Sequence, residues 1–160
     1  MALSSVEIAS NVTPRVSIDS TIGSVAPPFS SGATLASGTS DGQVDKHYIA
    51  SGSVASGSPV TLDFNGGGLV GLDGSAFNIV DLVYIKLKNT SPAGGGTITY
   101  GAAANPIANL AGTLPPGAEV VLFDATGSGW PVVAGSADGL KLASSSGTAT
   151  YAISAGGRST

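Results

Sequence analysis

The stretch that decides the fold is Val80–Ser91, VDLVYIKLKNTS. Val83, Ile85 and Leu87 alternate with Tyr84, Lys86 and Lys88, and a period of two sends the two sets to opposite faces of a β-strand. The apolar set is suited to burial. The other set places two of the chain's six basic residues two positions apart in a protein of formal net charge −4. Tyr84, Lys86 and Lys88 are therefore candidate contacts for an oppositely charged partner surface. Lysines also guard open sheet edges against unwanted pairing, a role that needs only solvent around them.

Outward from this strand, similar short runs recur at Val44–Ala50, Val60–Phe64, Ile79–Lys88, Thr97–Tyr100, Glu119–Asp124, Trp130–Ala134, Leu140–Ala143 and Thr148–Ser154. Gly, Pro, Asn, Asp or Ser clusters bound each of them. No segment carries sustained helical periodicity with caps. The pattern predicts an all-β fold over residues 44–160, an antiparallel β-sandwich or jelly roll of about eight short strands.

Residues 1–43 read differently. Ala26–Gln43, APPFSSGATLASGTSDGQ, offers few large apolar side chains to offset the entropy of ordering it, so an extended, Gly/Ser-rich N-terminal arm is expected. Ahead of it, Val6 and Ile8, then Val16 and Ile18, form short alternating pieces around Pro14 that suit addition to a neighbour's sheet edge. These four residues are the arm's candidate partner contacts.

Composition narrows the function. The chain has 160 residues, 24 of them glycine, and only 6% are aromatic, which implies a thin core and stability gained by association, as a homo-oligomer or within a larger assembly. Without cysteine there is no disulfide framework, thiol nucleophile or thiolate metal site. The opening MALSSVEIAS lacks the basic and apolar regions of a secretory signal, and no apolar run approaches the ~18 residues of a membrane span. A chain made in the cytoplasm, with no membrane partner, is expected. An acidic balance also disfavours nucleic acid, whose phosphates call for basic charge.

The motifs that suggest chemistry have weak contexts. Gly38–Gly42 matches G-x-S-x-G around Ser40, but that pattern makes a nucleophile elbow only between a strand and a helix. His47, the only histidine, falls within a predicted strand, where a partly exposed surface position is expected. Gly66–Gly71 matches G-x-G-x-x-G without the following helix a dinucleotide needs. The carboxylates Asp63, Asp73, Asp81, Glu119, Asp124 and Asp138 are scattered singly, and Asp73-Gly74 and Asp138-Gly139 read as turns. Trp130 follows the turn ATGSG and suits one end of a core. Neither enzyme activity, metal nor cofactor is expected.

From Tyr84 onward, a series of strand ends and turns stands out: Asn89-Thr90-Ser91, Gly101–Pro106, Pro116-Gly117 before Val120–Phe123, DATGSGW at Asp124–Trp130, Gly135–Leu140 and Thr150-Tyr151. In these marks the C-terminal half resembles small virion proteins of tailed bacteriophages, of the decoration or cement type that binds the capsid exterior. The N-terminal arm has no counterpart in that pattern. The resemblance implies a small, often oligomeric β-sandwich on the capsid surface of a virion, whose partner is the major capsid protein and whose work is to hold capsid subunits together. A tail-associated or host-binding β module is the alternative.

Overall fold

The computed structural model describes residues 5–12, 29–66, 68–101, 103–124 and 128–159, with side chains described from Leu35 onward. Every regular element among them is a strand. The N-terminal strands are β1 (Ser5–Val12), β2 (Phe29–Ser37) and β3 (Gln43–Val44). Then come β4 (Lys46–Ala55), β5 (Val60–Asp63), β6 (Asp81–Asn89), β7 (Ile98–Tyr100) and β8 (Gly112–Leu114). The last four are β9 (Glu119–Phe123), β10 (Trp130–Pro131), β11 (Gly139–Ser144) and β12 (Thr148–Arg158).

Pairing follows a folded-hairpin logic. β4 pairs with β12, β5 with β11, β6 with β9 and β7 with β8, all antiparallel, so the first strand of the domain meets the last and each inner pair follows inward. Cross-pairs β6–β12 and β7–β11 knit these into two sheets. One runs β9-β6-β12-β4, with β10 beside the other end of β6, and the second runs β5-β11-β7-β8. That order is a jelly roll. All eight runs expected from the sequence hold strands, and β8 was not anticipated because Gly112-Thr113-Leu114 is too short to show alternation.

The sheets pack face to face. Leu82, Ile85 and Leu87 of β6, Tyr151 and Ile153 of β12, and Tyr48 and Val54 of β4 meet Leu62, Leu140, Leu142, Ile98 and Leu114 from the opposite sheet. Phe64 and Phe77 fill one region edge to face, with ring centroids 5.8 Å apart. Trp130 is half-buried against this core, as its position after a turn suggests.

One irregularity shapes the outer surface. Gly156 pairs with Tyr84 while Gly157 pairs with Leu82, which leaves Val83 as the extra residue of a β-bulge. The bulge lets Leu82 and Ile85, an odd number apart, both face the core. Val83 and Tyr84 are then buried in a second cluster with Leu35 of β2 and Val44 of β3. Gly156 cannot be larger, because a Cβ there would overlap the Tyr84 ring.

The N-terminal strands add to this surface. β1 and β2 form an antiparallel pair, and β2 runs parallel to β3 through Ala36–Gln43 and Ser37–Val44. The expected arm thus contains strands, and its boundary falls within β3. Val6 stands opposite Leu35 and Ile8 opposite Ala33. Val16 and Ile18 lie outside the described residues.

Candidate interaction face

The outer face of the β9-β6-β12-β4 sheet is built in rows by strand register. Tyr84 and Phe123 lie in line with Gly156 and His47. Lys86 and Val121 align with Ser154 and Ile49, and Lys88 and Glu119 with Ala152 and Ser51. The first row is covered by Leu35 and Val44, with Val121 and Phe123 packed alongside. The next two rows are open. They form a groove of about 510 Å3 whose floor is the small side of β12, Ser154 and Ala152, with Lys86 and Lys88 on one wall and Ile49 on the other.

Two corrections concern β6. Its solvent face carries lysines, but it is an interior strand, hydrogen-bonded to β12 on one side and to β9 and β10 on the other. Edge protection therefore does not account for Lys86 and Lys88. Tyr84 shares their face by alternation yet is only 5% exposed beneath Leu35, so in this arrangement the open basic surface consists of the two lysines. Lys86 Nζ lies 3.5 Å from Glu119. Lys88 makes no ion pair among the described residues.

His47 is not the surface residue expected. It is 6% exposed, with Nδ1 3.4 Å from the Tyr84 hydroxyl, which also lies 3.5 Å from Ser154 Oγ. Burial pushes the imidazole pKa below its usual value, against the opposing charges of Asp45 and Asp73. Burial likewise raises the Tyr84 phenol. The linkage has a definite sign: in the window below about 6.5 the unfolded chain binds the proton first, so stability is full above that pH and falls as pH drops. Melting at about pH 5.5 should therefore occur at lower temperature than at about pH 7.5. Because His47 is the chain's only histidine, His47→Gln should remove most of that difference. An unchanged difference in the variant would rule His47 out as its source.

The remaining motifs have structural settings. Ser40 sits in the turn between β2 and β3, where Gln43 N–H donates to its carbonyl at 3.0 Å. A strand-to-strand turn lacks the geometry of a nucleophile elbow. The Gly66–Gly71 segment lies in the connection from β5 to β6. Asp73 accepts from the Ser75 amide and hydroxyl and faces Lys46, contacts that hold its carboxyl down to about 2. Asp138 accepts from the Gly135 amide. Asp73 caps its own turn, as expected, whereas Asp138 caps the preceding Val133–Ala137 turn and Gly139 already opens β11. No group of three or more His, Cys, Asp or Glu among the described residues is placed to hold a metal.

Sequence reasoning missed Ile49, Glu119, Ala152 and Ser154 as parts of the face. The signal for Ile49 is its phase: in KHYIASGSVA, Tyr48, Ala50, Gly52 and Val54 share the core-facing positions, which leaves Ile49 apolar in the outward set and 58% exposed. For the floor, Thr150, Ala152, Ser154 and Gly156 occupy the outward phase of β12, all small.

No protein-family model, curated protein or solved structure matches this chain.

Proposed function

We propose that this protein is a structural component of a bacteriophage particle, bound to the capsid exterior, where it bridges subunits of the major capsid protein. It acts by binding and catalyses no reaction. The observation that carries this reading is the face itself. Two of six basic residues stand in solvent on an interior strand, beside a groove, in a protein of net charge −4. An acidic patch on the capsid complements them. Charged rims of this kind speed encounter and fix register more than they deepen affinity.

The N-terminal strands supply a second point of attachment. A domain contact and an arm contact on one chain raise the effective concentration of each other, so two weak contacts can hold as one strong one. Homo-oligomers would multiply this again. The resemblance of the C-terminal half to decoration proteins and the jelly-roll strand order, which viral capsid domains also use, support the same reading.

The tail-associated or host-binding alternative draws on Val70 and Leu72, which stand 60% and 57% exposed in the β5–β6 connection. Antibody labelling of intact particles in the electron microscope separates the two. Label over the head is expected. Label confined to the tail would transfer the protein to the alternative, and particles without label would overturn both.

A further inference from the structure

We propose that the groove along β12 seats an extended, acidic segment of the partner protein, with carboxylates at alternate positions facing Lys86 and Lys88 and apolar side chains facing Ile49. This rests on the docking role given above and specifies what docks.

Three features of the groove select that ligand. The first is width. β6 and β4 flank β12, so two strand spacings, about 10 Å, separate the walls. The lysine and isoleucine side chains narrow this further, below the roughly 10–12 Å that a helix with side chains occupies. An extended chain standing edge-on fits. The second is spacing: Lys86 and Lys88 repeat along β6 at about 6.6–6.8 Å, the interval at which another extended chain repeats its own alternate side chains. Carboxylates two residues apart therefore meet both lysines at once. The third is the asymmetry of the walls, cationic on one side and apolar at Ile49 on the other. An extended segment alternating acidic and apolar residues presents one kind to each.

The groove's charges set the rest. Lys88 makes no ion pair among the described residues, whereas Lys86 is shared with Glu119 at 3.5 Å. Glu119 thus acts as an internal competitor for the incoming carboxylate. Its presence at the rim, with the chain's net charge of −4, disfavours a nucleic-acid strand, whose every residue is an anion. The hydroxyls of Ser51 and Ser154 offer hydrogen bonds to the backbone of the incoming segment. The groove closes at the Tyr84–Ser154 contact, so the seated segment is short and its affinity modest, sufficient when many copies bind one particle.

The test is fluorescence anisotropy with a short blocked peptide alternating Asp and Val. An Asn–Val peptide of equal length and oligo-thymidylate serve as controls. The Asp–Val peptide should bind and weaken with added salt. Lys88→Glu should weaken it by at least about threefold, and Glu119→Gln should tighten it by about twofold because Lys86 is released. Ile49→Ser should weaken it as well. Equal binding of the Asn–Val peptide, tighter binding of oligo-thymidylate, or no binding at millimolar peptide would each overturn the proposal. The same variants applied to capsid attachment keep the two claims apart. If Lys88→Glu impairs attachment while the Asp–Val peptide fails to bind, docking through this face stands and the extended acidic segment falls. If attachment is indifferent to every variant, docking through this face falls.

Discussion

Replacing Asn89 with alanine is expected to destabilise the protein by about 3–5 kcal/mol. The side chain is fully buried at the end of β6. Its Nδ2 donates to the carbonyls of Gly96 and Leu114, each at 2.9 Å, and its Oδ1 accepts from the Ser91 amide at 3.0 Å. Leu114 belongs to β8 of the opposite sheet, so one amide ties the two layers together at this end of the sandwich. Alanine would leave two carbonyls and one N–H without that partner in a closed site. Each unsatisfied buried group costs about 1–3 kcal/mol, and partial entry of water recovers some of it. Asn89→Asp should cost at least as much, since a carboxylate can only accept and would face two acceptors. In a chain of this size the melting temperature should fall by roughly 10 °C. A fall worth less than about 1 kcal/mol would mean that the amide does not bridge the layers.

The second large effect is expected at Arg158, near the end of β12. The residue is 4% exposed, and its guanidinium reaches Asp81 of β6 at 2.8 Å, Asp41 in the β2–β3 turn and the Ser128 carbonyl. The Asp41 hydrogen bond is the largest cause holding the guanidinium above its usual pKa, against desolvation, with Asp81 adding to the effect. Arg158→Met should cost about 2–4 kcal/mol, because it strands a partly buried Asp81 carboxylate and an acceptor carbonyl. The two carboxylates do not count equally. Asp41 is 69% exposed against 22% for Asp81, so solvent screens the first pair and Asp41→Asn should cost under about 1 kcal/mol. Denaturant titration of both variants gives the comparison. Equal losses would contradict this ranking.

These two sites show where the sequence is readable and where it is not. Strand identity was legible because each run carries its own alternation and its own turn residues, as VYIKLK and GLKLAS do. The two-sheet sandwich followed from their number and spacing. What the chain did not disclose is long-range. Asn89 ends a strand in NTS and reads as turn punctuation. Its bonds to Gly96 and Leu114 depend on which strands lie opposite, and no local pattern specifies that. The bulge at Val83 leaves only a slight local mark, the adjacent apolar pair Leu82-Val83 where the alternation changes phase, and it becomes a bulge only through the shifted pairing with Gly156 and Gly157 of β12. Tyr84 and His47 both fall on the outward phase, yet Tyr84 is buried with Leu35 and Val44 from the N-terminal strands, and His47 is buried beside the Tyr84 ring. Of the face itself, Lys86 and Lys88 were visible from one strand alone, while Ile49 and the small floor of β12 join them only through the β6-β12-β4 order.

Docking through the outer sheet face is tested most directly by the double change Lys86→Glu and Lys88→Glu, read as binding to undecorated capsids at low and at high salt. Both side chains are exposed, so stability should change by no more than about 1 kcal/mol, which thermal melting verifies first. The folded variant should bind capsids more weakly than the wild type at low salt, and the gap should narrow as salt screens the charges. Wild-type affinity with unaltered salt dependence in the double variant would contradict docking through this face.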